Sequence, residues 1–181
     1  EPGTVNQTGV DTDIAIRGDG YFVVQGLGEP SLSRRGDLRV SSEGFLENGT
    51  SQKVLNTNLQ PINVPDYRFL TVSDDGNVVI EPLGSDPGTK QIVGRIALTQ
   101  VPQGELKKYA DGEIRLRDGT VPPLDDEIRV IAKHIELSNV NITEELINSI
   151  EDQRQYEINI KMIASAGELD EAGASLIRLP T

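Results

Sequence analysis

Phe69-Leu70-Thr71-Val72-Ser73-Asp74-Asp75-Gly76-Asn77-Val78-Val79-Ile80 sets two short apolar runs on either side of Asp75-Gly76. Glycine takes positive φ without a Cβ clash and Asp tolerates it, so the dipeptide suits a tight β-hairpin. The same pattern extends outward in both directions. Runs rich in Val, Ile and Leu at 13–17, 21–25, 45–47, 53–55, 92–99, 113–116 and 127–135 alternate with Gly, Asp, Asn and Pro. Asp19-Gly20, Glu43-Gly44 and Asp111-Gly112 are further turn pairs. Helical periodicity is hard to find before residue 140. Short strands at this spacing predict a mainly β fold, an irregular antiparallel sandwich or partly open barrel. A strictly parallel α/β sheet is disfavoured, because crossover helices are missing.

The period changes at Asn141. Asn141-Ile142-Thr143-Glu144 places a cap side chain three residues before a Glu, a capping-box arrangement. Ile142, Leu146, Ile150, Ile160 and Ile163 then recur at helical spacing, with Ile147 and Tyr156 beside them and Gln153 and Arg154 interrupting. Neither Pro nor Gly occurs from 142 to 166, which predicts an amphipathic helix of roughly 37 Å. Gly167 is a plausible end, although 168–176 could continue the helix. Such a helix needs a cover for its apolar stripe. One face could lie on the β domain; the favoured alternative is a helical partner, and since none is available in residues 1–140 it is expected upstream of Glu1 or on another chain. The expected organisation is a leader remnant at 1–12, a β-rich domain at 13–137 and a C-terminal helical segment at 138–181.

Composition narrows the function classes. The chain has 181 residues, 29 acidic and 17 basic, and a net charge of −12. Its longest basic clusters are Arg34-Arg35 and Lys107-Lys108, which argues against a nucleic-acid surface. Three Phe, four Tyr and no Trp leave little for carbohydrate or base stacking. With no Cys, disulfides, thiolate nucleophiles and Cys-ligated metals are excluded. No window approaches the ~20 apolar residues of a membrane span, and no basic-then-apolar leader opens the chain.

Candidate chemistry is thin. His134, the single His, lies in an apolar stretch and reads as structural. Asp74-Asp75-Gly76-Asn77 lacks the ligand spacing of a calcium loop. No nucleophile elbow or phosphate-binding glycine loop occurs. Arg-Gly-Asp at 17–19 and 35–37 is too short a match to carry an adhesion reading. Asn6, Asn48 and Asn141 each open an Asn-x-Thr sequon, and Asn141 is already wanted as a cap. No catalytic residue, metal, cofactor or small-molecule substrate is expected.

Four ordered blocks carry a resemblance. Asp13-Ile14-Ala15-Ile16-Arg17-Gly18-Asp19-Gly20-Tyr21-Phe22-Val23-Val24 resembles the signature that opens the β domain of bacterial flagellar rod and hook proteins. Ser33-Arg34-Arg35-Gly36-Asp37-Leu38 with Glu43-Gly44-Phe45-Leu46 resembles the next block, Ser33 and Leu38 standing where that family has Thr and an aromatic. Leu137-Ser138-Asn139-Val140-Asn141 resembles the motif before the C-terminal helix, and Gln153-Arg154-Gln155-Tyr156-Glu157 the one inside it. The ending at 172–179 is most similar to the proximal rod protein, with the distal rod protein close behind.

The resemblance implies a structural subunit of the basal-body rod, exported through the flagellum's own channel to cross the periplasm and truncated here at its N-terminus. It implies that the terminal helices pair and pack against neighbouring subunits around a central channel, polymerising helically. The implied partner-binding set is Ser138, Asn139, Val140, Asn141, Leu146, Ile150, Gln153, Arg154, Tyr156, Ile160 and Ile163. The alternative from a different class is an adhesive or ligand-binding β module on a helical stalk.

Overall fold

The computed structural model describes residues 3–139 and 142–177. The chain divides into two compact units, Glu1–Asn139 and Val140–Thr181. Strands of the first unit are β1 (Val5–Gln7), β2 (Ile14–Ile16), β3 (Tyr21–Gln25), β4 (Pro30–Ser33), β5 (Leu38–Val40), β6 (Leu46–Asn48) and β7 (Tyr67–Val72). They continue as β8 (Asn77–Pro82), β9 (Gln91–Arg95), β10 (Leu98–Thr99), β11 (Leu106–Lys108), β12 (Ile114–Leu116), β13 (Val130–Ala132) and β14 (His134–Glu136). Among the described residues they form five antiparallel sheets, ordered β1-β14, β10-β3-β4-β12-β11, β13-β2, β5-β6 and β7-β8-β9, and no sheet closes into a barrel. The mainly β expectation holds.

Three of the four turn dipeptides join hairpins. Gly76 has φ +79°, and β7 and β8 pair across it with Leu70 opposite Ile80 and Val72 opposite Val78. Glu43-Gly44 joins β5 to β6, and Asp111-Gly112 joins β11 to β12. Asp19-Gly20 does not make a hairpin, because β2 pairs with β13 while β3 pairs with β4 and β10.

Two closed rings of backbone hydrogen bonds hold the small sheets together. Leu46 N donates to Ile62 O, Ile62 N to Val54 O and Val54 N to Leu46 O, at 3.0, 3.1 and 2.8 Å. Val23 N donates to Ala97 O, Ala97 N to Leu55 O and Leu55 N to Val23 O, at 3.0, 2.9 and 3.0 Å. All six side chains are buried. Each ring satisfies three buried donors and three buried acceptors without a long ladder. The rings explain two departures from the expected strands. Residues 53–55 form no strand, since their polar groups are divided among different partners. The expected strand 92–99 breaks at Ile96-Ala97, whose N–H groups go to Gly76 O and Leu55 O.

The loops that feed the first ring repeat after eight residues. In Asn48-Gly49-Thr50-Ser51-Gln52, Asn48 N donates to Gln52 O and Asn48 Oδ1 accepts from Thr50 N and Gln52 N. In Asn56-Thr57-Asn58-Leu59-Gln60, Asn56 N donates to Gln60 O and Asn56 Oδ1 accepts from Asn58 N and Gln60 N. The fourth residue of each loop is left-handed, Ser51 at φ 62° and Leu59 at φ 58°. Asn48 is fully buried and its Nδ2 donates to Gln52 Oε1, so this sequon is structural. The main core gathers Ile14, Ile16, Phe22, Leu46, Val54, Ile62, Val78, Ile80, Ile96 and Val130, and a second cluster holds Val23, Leu32, Leu55, Ala97 and Leu116.

The expected strand 127–135 is split at Lys133, which has φ 63°. This kink lets β13 pair with β2 and β14 pair with β1. The segment before Asp13 therefore contributes a strand of its own.

The second unit is one α-helix, α1 (Ile142–Ile177), 36 residues and about 54 Å at 1.5 Å per residue. It passes straight through Gly167. Glu144 and Glu145 occupy its first turn, where negative charge complements the helix dipole. Among the described residues no helix is long and apolar enough to cross a membrane.

Candidate functional site

At 100° per residue, Leu146, Ile150 and Ile160 lie within about 80° of one another on α1, with Tyr156 and Ile163 adjoining. Helical phase thus brings five of the expected partner-binding residues onto one face. Gln153 falls inside that face and Arg154 at its margin. Gln153 Nε2 donates to Glu157 Oε1 at 3.5 Å, one turn on. Leu146, Ile150, Tyr156, Ile160 and Ile163 are 60, 49, 67, 48 and 69% exposed.

A second apolar row was not read from the sequence. Ile158, Met162 and Leu169 fall on the opposite side of the helix and are 51, 65 and 73% exposed. With Lys161, Ser165 and Ala166 they line a shallow surface groove. Their spacing of four and seven residues was the available signal, hidden because the first stripe already accounted for a helix.

Ser138 and Asn139 lie at the end of the β unit, lining a cavity of about 480 Å³ with Gly3, the stretch Arg34 to Asp37, and the stretch Ile135 to Leu137. Val140 and Asn141 lie outside the described residues. Beside this cavity Arg34 makes five side-chain hydrogen bonds. Its Nε donates to Glu136 Oε1 and Oε2 at 2.9 and 2.8 Å, and its Nη2 to Oε2 at 2.6 Å. Its Nη1 also donates to Gly20 O at 2.8 Å and its Nη2 to Gly18 O at 3.0 Å. The two side chains are 20 and 7% exposed.

Next to it, Arg35 pairs with Asp37 at 2.7 Å. Partial burial pushes the Asp37 carboxyl up. The Arg35 hydrogen bond and charge and the Gly49 N–H outweigh it and leave the group below its ordinary range. Gly36 sits between them because a Cβ there would fall 1.7 Å from Ile14 O. The second Arg-Gly-Asp triplet is thus tied into the fold.

His134 contacts Ala132 O at 2.7 Å through Nδ1. Among the described residues no group of three or more His, Asp and Glu is placed to hold a metal.

Comparison with known proteins gives the context. Residues 15–80 match the flagellar hook protein FlgE/F/G D1 domain, and residues 131–176 match the flagellar basal body rod FlgEFG protein C-terminal region. The chain is 32% identical to the flagellar basal-body rod protein FlgF of Caulobacter vibrioides, over 94% of this chain and 67% of that protein. The chain belongs to the flagellar basal-body rod protein family. It is also 29% identical to FlgF of Salmonella typhimurium, over 98% of this chain and 73% of that protein. Against the rod protein FlgG of Bacillus subtilis the figures are 30%, 90% and 64%. In this rod-family chain the first matched region lies inside the β unit, and the second runs from the last strands of that unit into α1. The first runs from Ala15 in β2 through β7 to Ile80 in β8, and the second from Ile131 in β13 through β14 and nearly all of α1.

Proposed function

We propose that this chain is a structural subunit of the flagellar basal-body rod whose α1 packs against helices of neighbouring rod subunits, while the β unit forms the body carried outside them. The role is assembly rather than catalysis. The observation that carries this reading is the openness of the apolar faces of α1, in the region matched by the rod-protein C-terminal family. Long aliphatic side chains on two sides of one helix call for more than one helical neighbour, and burial at ~25 cal/mol per Å² would supply the driving force. Subunits related by a rotation and a rise make heterologous contacts, which propagate as an open helical polymer. Gln153 and Arg154 interrupt the first stripe with hydrogen-bonding groups that set register between helices. Ser138, Asn139, Val140 and Asn141 form the junction leading into that interface.

The test is the double variant Ile150→Asp/Ile160→Asp in a strain that depends on this gene. It abolishes rod assembly and swimming while the purified variant chain, whose substitutions lie in α1 alone, keeps the cooperative melting of its β unit. Normal motility in that strain would end the proposal.

A further inference from the structure

The two-stranded ribbon β1-β14 is anchored to the β unit in an unusual way. It contains three residue pairs, Val5 opposite Glu136, Asn6 opposite Ile135 and Gln7 opposite His134. Every residue of β1 is exposed and none of β14 is fully buried. A ribbon of this size without a buried apolar face is marginal alone. Its attachment is polar. Arg34 grips both oxygens of Glu136 and at the same time caps Gly18 O and Gly20 O in the β2–β3 turn. Glu136 Oε1 also accepts from Gly3 N at 2.8 Å. At the other end of β14 the chain turns through left-handed Lys133, a conformation that costs a non-glycine residue.

We propose that Arg34–Glu136 is a latch and Lys133 the hinge of a strap formed by residues 3–9 and 134–139. The strap opens as a unit while the ring-tied core stays closed. Breaking a largely buried, multiply hydrogen-bonded pair leaves an uncompensated carboxylate, so the strap lifts when the latch is lost. Val130, fully buried and paired with Ile16, stops the opening at the hinge. Elements held by few apolar contacts are the ones that open below the global unfolding energy. The strap ends on Ser138 and Asn139, so the latch controls how firmly the proposed assembly junction is held. That consequence rests on the rod-subunit reading; the latch itself does not.

The experiment is amide hydrogen exchange on the whole chain at neutral pH, comparing the natural sequence with Arg34→Met, Arg34→Lys and Glu136→Gln. In Arg34→Met the amides of 4–9 and 134–138 exchange at least about tenfold faster, while Val23, Leu46, Val54 and Leu55 keep their rates. Arg34→Lys restores protection only in part, because an ammonium cannot span two carboxylate oxygens and two carbonyls at once. Should Arg34→Met fail to fold, Glu136→Gln keeps the shape, loses the charge and must show the same local pattern. Parallel acceleration of strap and core, or an unchanged strap, would overturn the latch. Loss of motility in the helix variants alongside an unchanged strap would leave the rod-subunit reading standing and remove only this inference.

Discussion

Val54 and Leu55 are neighbours in the chain, yet their N–H groups close different rings, Val54 onto Leu46 O at 2.8 Å and Leu55 onto Val23 O at 3.0 Å. One peptide unit therefore couples the main core to the second cluster. Replacing Val54 by Ala removes a side chain that is 1% exposed and leaves a cavity beside Leu46 and Ile62, at a cost of about 2–3 kcal/mol. Urea denaturation checks this, and the loss should register equally by probes in either cluster, since the two are joined through this step.

Asn48 and Asn56 perform the same task in loops that differ in burial. Asn48→Ala strips a fully buried acceptor from Thr50 N, Thr50 Oγ1 and Gln52 N, and costs about 2–3 kcal/mol. Asn56→Ala, in the more open loop, costs about 1 kcal/mol. Equal losses in chemical denaturation would contradict the burial argument.

Leu59 adopts φ 58° with its side chain exposed. Asn tolerates the left-handed region better than a branched aliphatic residue does, so Leu59→Asn is expected to stabilise the β unit by up to about 1 kcal/mol. A rise in melting temperature reads this out, and a fall would show that the leucine side chain has a packing role.

Asp37 carries a depressed pKa, and the sign of its pH effect follows. A carboxylate more acidic folded than unfolded adds stability that is fully present above its ordinary value near ~4 and disappears as pH drops through the folded value. Asp37→Asn is therefore destabilising at pH 7 and converges on the natural protein toward pH 2. Denaturation across that range checks it, and a constant difference between the two proteins would assign the effect to geometry instead of charge.

The readable parts of the fold were those in which turn chemistry and alternation coincide. At Asp75-Gly76 the glycine supplies positive φ between two apolar runs, so the hairpin is visible in the sequence. The Asn48 and Asn56 loops leave no mark in the sequence because their left-handed residues are Ser51 and Leu59, which carry no turn signal. Val5-Asn6-Gln7 and Leu106-Lys107-Lys108 lack the apolar pattern of a half-buried strand because they pair at exposed edges. The continuous apolar run around Lys133 concealed a change of partner, since a backbone kink leaves no mark in hydropathy. On α1 the first stripe was legible from spacing. Gly167 proved no terminus, because one glycine costs only about 1 kcal/mol within 36 helical residues.

Leu137 N donates to Thr4 O at 2.9 Å, so the polypeptide enters and leaves the β unit at a single doorway. A module with adjacent ends behaves as a cassette: its interior can be enlarged, trimmed or exchanged without changing the spacing of whatever flanks it. Insertions or deletions between Thr4 and Leu137 therefore leave those two anchor points side by side.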